Sequence, residues 1–147
     1  MNDDFRTEPS ILFWIISGAA LIWNLFGMMI YYGQVSATPE SLAAANYTAE
    51  QIAFLDSTPS WVTSVFAISV TAGVLGSILL LLRKAWAVPL FVLSLATVLI
   101  QNIHSFLLTD VVAVFGTTPV MIQSTVILIA IGLVFYSLRV MGKGWLA

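Results

Sequence analysis

The chain has 147 residues, 60% of them hydrophobic and only 8% charged, with a mean hydropathy of +1.01. Soluble domains carry charged residues at about 25%, so this composition describes a surface solvated by lipid. A formal net charge of −2 excludes a polyanion-binding patch and with it nucleic acid as a partner, and the absence of cysteine excludes a disulfide framework, a thiol nucleophile, an iron–sulfur cluster and a Cys-type zinc site.

Residues Met1 to Ser10 hold Asp3, Asp4 and Glu8 against Arg6. That is the wrong charge for a signal peptide, so the apolar run after them is expected to be a mature span. Crossing about 30 Å of hydrocarbon takes about 20 apolar residues in a helix, because lipid offers no partner for free backbone groups. Four segments meet this length: Ile11 to Tyr32, Trp61 to Leu82, Trp86 to Leu108 and Val120 to Val140. Between the first two lies a long loop, 33–60, with helix-start chemistry at Thr38-Pro39, at Thr48 with Gln51 three residues on, and at Thr58-Pro59. It predicts short helices over Pro39 to Ala45 and Ala49 to Asp56, the second amphipathic and suited to the headgroup level, with Pro59 opening the second span. The turn at Arg83-Lys84 is too short for anything but an antiparallel hairpin. The predicted fold class is therefore an all-α membrane protein, one domain over 1–147, a four-helix transmembrane bundle with short helices in the first outer loop.

Orientation follows from the basic residues, since cytoplasmic loops retain Lys and Arg. Arg6, Arg83, Lys84, Arg139 and Lys143 all fall on the side of the termini, while Glu40, Glu50, Asp56 and Asp110 fall on the other. Both termini are expected in the cytoplasm, with loops 33–60 and 109–119 outside. Trp14, Trp61, Trp86, Tyr31, Tyr32, Tyr136 and Trp145 lie near span ends, as aromatic belts do.

Polar groups inside the spans need a partner or a wet cavity. In span one, Ser17, Ala20, Asn24, Gly27, Tyr31 and Gln34 share one face; in span three, Ser94, Thr97, Gln101 and His104 do the same, with Asn102 beside them. Span two offers Ser69, Gly73, Gly76 and Ser77, a small-residue face suited to helix contact, including contact with a second copy, and span four adds Gln123. By helix direction, Asn24, Tyr31, Gln101, Asn102, His104 and Gln123 share the outer half of the membrane. Together with Trp23, and with Met28 and Phe106 as further walls, they form the candidate ligand-binding set.

Two readings of this set stand open. Interhelical hydrogen bonds of Asn, Gln, His and Ser are ordinary bundle glue at about 0.6 kcal/mol each, and the same groups at one depth can face a ligand. For His104, a hydrogen-bonded neutral imidazole is expected rather than a metal or haem ligand, and a relay with Asp110 is the weaker alternative. No paired buried carboxylates, nucleophile with base, or phosphate-binding loop occurs, so neither an enzyme nor a cofactor is expected.

The stretches Ile22-Trp23-Asn24-Leu25-Phe26-Gly27, Pro59-Ser60-Trp61, Phe66-Ala67, Gly73-Val74-Leu75-Gly76-Ser77, Leu81-Leu82-Arg83-Lys84-Ala85-Trp86-Ala87 and Phe91-Val92-Leu93-Ser94-Leu95, with Gln101 and the closing Gly142-Lys143-Gly144-Trp145, resemble a family of small bacterial four-span membrane proteins. Some members are labelled sugar transporters. The resemblance covers most of the chain and implies a bacterial inner-membrane protein handling a small polar solute; it assigns no role to any single position. Binding or transport of such a solute, a sugar among the options, is thus the first expectation. With four spans, transport implies a homo-oligomer. The alternative is a non-catalytic scaffold that docks another membrane subunit.

Overall fold

The computed structural model describes residues 7–147; Asp3, Asp4 and Arg6, used above for charge and orientation, lie outside them. Seven helices follow in order: α1 (Ile11–Ser36), α2 (Pro39–Ala44), α3 (Ala49–Asp56), α4 (Ser60–Leu81), α5 (Ala87–Leu107), α6 (Val111–Phe115) and α7 (Thr118–Gly142). Among the described residues, α1, α4, α5 and α7 are long and apolar enough to cross a membrane. The chain is an all-α, multi-pass membrane bundle.

The local chemistry accounts for the boundaries. With 26 residues α1 rises about 39 Å, more than the hydrocarbon core, so it runs past the expected end at Tyr32 until Pro39 disfavours helical geometry at Thr38. Thr38 and Ser41 form a reciprocal capping box on α2, with Oγ1 of Thr38 accepting from the Ser41 amide at 3.2 Å and Oγ of Ser41 accepting from the Thr38 amide at 2.9 Å. The expected box of Thr48 and Gln51 opens α3 in the same way, at 3.2 and 3.0 Å. One element is missing from the sequence reading: 109–119 is not a plain loop but holds α6, a single turn and a half that stops at Gly116, where φ is +75° and a side chain would be strained. It packs on α3 through the edge-to-face pair Phe54 and Phe115, 5.5 Å between centroids.

The long helices pack in the order α1, α4, α5, α7, an arc in which α4 touches both α1 and α5 while α7 touches only α5 among the spans to any extent. The centre of the arc is therefore α4. Its small residues set the closeness of that packing: a Cβ on Gly76 would lie 3.1 Å from the Phe91 ring. Ser69, Gly73, Gly76 and Ser77 are all buried within the chain, which corrects the expectation that this face makes a contact between copies.

At the end carrying the termini the arc closes. Phe13, Leu80, Ala87, Phe91, Val140 and Leu146 form one buried cluster drawn from all four spans and the C-terminal tail. Backbone bonds stitch that tail to the hairpin turn, Ala85 N to Ala147 O and Ala147 N to Arg83 O, each 2.8 Å. Arg83 adopts φ of +58°, a left-handed geometry costly for a residue with a side chain. Its surroundings hold it there: Nε donates to Trp145 O at 2.9 Å and Nη2 to Thr7 O at 3.3 Å. Thr7 in turn donates to Lys143 O at 2.7 Å.

Candidate functional site

At the end carrying the termini Phe13 of α1 meets Val140 of α7 and Trp145 of the C-terminal tail, and nearer the loops the long helices enclose space. A cavity of about 180 Å³ lies among α1, α4, α5 and α7, with Trp23, Asn24, Gln101 and Gln123 in its wall. Beyond it toward the loops is a wider vestibule of about 930 Å³ beneath α3 and α6, reached by His104, Glu50 and Asp110. Gln101 and Gln123 line both spaces and so stand at their junction.

The structure thus brings together four of the seven candidate residues and separates the others. Tyr31 packs its ring edge-on against Phe66, 5.4 Å between centroids, and stays out of the cavity wall. Asn102 is 8% exposed and sits behind Gln123, donating Nδ2 to Val98 O at 2.8 Å and to Gln123 Oε1 at 3.3 Å, while its Oδ1 finds no protein partner. His104 belongs to the vestibule, its ring edge-to-face with Trp61 at 5.0 Å. No protein group among the described residues hydrogen-bonds its imidazole, whose ring borders the vestibule. Met28 and Phe106, expected as walls, contribute nothing to the cavity.

The polar groups in the cavity wall divide by whether their donors are already engaged. Asn24 donates Nδ2 to Ala20 O at 2.8 Å and to Ser77 Oγ at 3.2 Å. Its Oδ1 lies over Gly73, where a Cβ would come within 2.0 Å. This places Asn24 at mid-depth, level with the middle of α4, and not in the loop half that helix direction alone suggested. Ser69 and Ser94 exchange bonds, Ser94 Oγ donating to Ser69 O at 2.9 Å and Ser69 Oγ to Ser94 O at 3.3 Å. Such bonds between helices are the ordinary glue of membrane bundles. By contrast Gln101 has no hydrogen-bond partner among the described residues, and Gln123 uses only its Oε1, leaving Nε2 free.

The remainder of the cavity is apolar. From α7 come Ile122, Val126, Ile129 and Leu133, spaced by four, three and four residues on one helix face, and Phe66, Val70, Phe91 and Val98 supply the opposite walls. The α7 stripe escaped the sequence reading because it is apolar in an apolar helix, although its period was visible. No charged residue among the described ones lines the cavity. Among the described residues no cluster of His, Asp or Glu suits a metal ion. No protein-family model, curated protein or solved structure matches this chain.

Proposed function

We propose that this is a membrane protein that binds a small solute bearing uncharged hydrogen-bonding groups, recognised by Gln101 and Gln123 where the cavity meets the vestibule. The supporting observation is that, of the amides in the cavity wall, these two keep hydrogen-bond donors without a partner among the described residues, Gln101 both of its groups and Gln123 its Nε2, whereas Asn24 has its donor engaged and only Oδ1 unbonded. Both amides border the vestibule, so a ligand bonding them exchanges with water and gains about 0.5–1.5 kcal/mol for each bond. Trp23 supplies an apolar and aromatic wall for the body of the solute. The role is binding or passage of the solute and not its chemical conversion. The resemblance to four-span bacterial proteins supports an inner-membrane setting, and Arg83, Lys84, Arg139 and Lys143 at the end of the termini support a cytoplasmic location for that end.

Saturable binding of neutral hydroxylated solutes to the protein in nanodiscs, followed through Trp23 fluorescence with Trp14, Trp61, Trp86 and Trp145 replaced by Phe, tests this. Gln101→Leu with Gln123→Leu is expected to abolish the signal, and Gln101→Leu alone, which breaks no bond within the described residues, to weaken it with the melting transition unchanged. Saturable binding that survives the double substitution removes the proposal.

A docking role is the second reading, and one observation favours it. Ser137 and Val140 are the buried residues of α7, both near its end, and the face bearing Leu128 and Phe135, turned away from α5 and the cavity, is free for another membrane subunit or a second copy. Cross-linking from Leu128 and Phe135, each 69% exposed, to a second chain would identify that use.

A further inference from the structure

Resting on the proposal that Gln101 and Gln123 receive a ligand, we infer that this ligand is an amphiphile with one uncharged polar head and one hydrocarbon tail, which enters from the lipid between α1 and α7. Three observations carry this. The first is the distribution of polarity. The free donors stand at one end of the cavity, and below them the donors are engaged with the protein itself, Asn24 Nδ2 with Ala20 and Ser77 and the Ser69 and Ser94 hydroxyls with each other's backbone, so that Asn24 Oδ1, held over Gly73, is the acceptor left there. A polar solute such as a sugar would bury its hydroxyls against Phe91, Val98, Ile129 and Leu133 without partners, at about 1–3 kcal/mol each. A hydrocarbon tail meets no such cost.

The second is dimension. Phe91 and Gln101 are ten residues apart on α5, as are Gln123 and Leu133 on α7, so the wall from amides to apolar floor rises about 15 Å. This is half of the roughly 30 Å hydrocarbon core, the depth of one leaflet. A volume of about 180 Å³ drawn out over that length is a narrow slot rather than a chamber. An apolar cavity of about 150 Å³ already takes up a benzene ring, so a slot of this size accepts a single chain.

The third is access. The arc of helices is open between α1 and α7 above Phe13, and residues on both rims are at once cavity wall and outer surface: Phe26 is 52% exposed, Ile30 48% and Ile122 55%. In a bilayer these side chains face lipid tails. The head is neutral because, among the described residues, no charged side chain lines the slot and the vestibule beyond offers only the carboxylates Glu50 and Asp110, so an anionic head meets no counter-charge.

The test uses the protein in phosphatidylcholine nanodiscs with a monoacylglycerol carrying a diazirine at the end of its chain. On illumination the label is expected on Ile129 and Leu133 of the slot in addition to the lipid-facing Leu128 and Phe135. Ala130→Trp is expected to remove slot labelling and Gln101→Leu to reduce it about fivefold, as for a lost hydrogen bond, with Leu128 and Phe135 labelled as before. Because Ala130→Trp could also disturb packing, a second arm joins Phe26→Cys to Ile122→Cys with a short bismaleimide in an otherwise cysteine-free chain. The closed rim is expected to exclude the lipid probe while the fold persists. Slot labelling that persists behind the closed rim overturns lateral access, and labelling confined to Leu128 and Phe135 overturns the amphiphile. If aqueous glucose gives a saturable Trp23 signal that Gln101→Leu with Gln123→Leu removes while the slot stays unlabelled, the glutamine site stands and this inference falls. If Gln101→Leu with Gln123→Leu changes neither the lipid labelling nor the saturable glucose signal of Trp23, both fall.

Discussion

At the end carrying the termini, four spans and a C-terminal strap share one core in which Phe13 and Leu80 are fully buried, whereas at the loop end α2, α3 and α6 bury no residue at all. Composition accounts for part of the difference, since α2 and α3 carry Glu40, Glu50 and Asp56 where the other end is made of apolar spans, and packing accounts for the rest. Hydrocarbon offers helices no hydrophobic reason to associate, and cohesion comes from close packing and satisfied polar groups. Where Gly73, Gly76 and the buried serines allow that packing, the bundle is tight; where α1 and α7 diverge, amides remain unbonded. The least packed part of the molecule is thus the part able to receive something from outside.

This contrast can be broken or sharpened by substitution. The largest effect is expected at the closed end: Leu80→Ala leaves a cavity in a cluster with no neighbour free to fill it and is expected to cost about 2–3 kcal/mol, measured by denaturant titration in mixed micelles. Next is Gly73→Ala, whose new methyl must displace the Asn24 amide from its bond with Ser77, at about 1–2 kcal/mol. Asn24→Ala in the same chain is expected to recover much of that loss, since it removes the obstructing group, and a double-mutant cycle reports the coupling.

Those positions also show what could and could not be foreseen from the chain alone. The spans, the hairpin at Arg83-Lys84 and the capped helices at Thr38 and Thr48 were legible because each rests on local chemistry: hydrophobic length, turn length, cap spacing. The polar stripes were legible too, but not their division. Whether Asn24 bonds Ser77 or a ligand depends on the helix facing it, and helix direction alone set Asn24 too near the loops. Gly73 is the clearest case, since a small residue on an apolar helix fits contact inside the chain or between chains equally well. The strap of 143–147 over Arg83 and the α6 turn were invisible for a related reason, as both depend on long-range partners.

Smaller effects follow at the strap and the loop end. Arg83→Ala loses two hydrogen bonds to backbone yet keeps the left-handed backbone, so it is expected to be less stable than Arg83→Gly by about 1 kcal/mol, read from paired melting curves. Phe54→Ala, at the opposite end, is expected to release α3 from α6 and to change bundle stability by less than about 0.5 kcal/mol. A loss at Phe54 as large as that at Leu80 would mean that the two ends are not held differently after all.

The most direct test of an open, unsatisfied end is thiol accessibility, position by position, in a chain that has no cysteine of its own. With Gln101→Cys, Gln123→Cys, Ser69→Cys and Ser77→Cys made singly and exposed to a water-soluble maleimide, the first two are expected to react and the two serine positions to stay protected. Equal protection at all four, or faster reaction at Ser77, would contradict a bundle whose free amides face an accessible cavity.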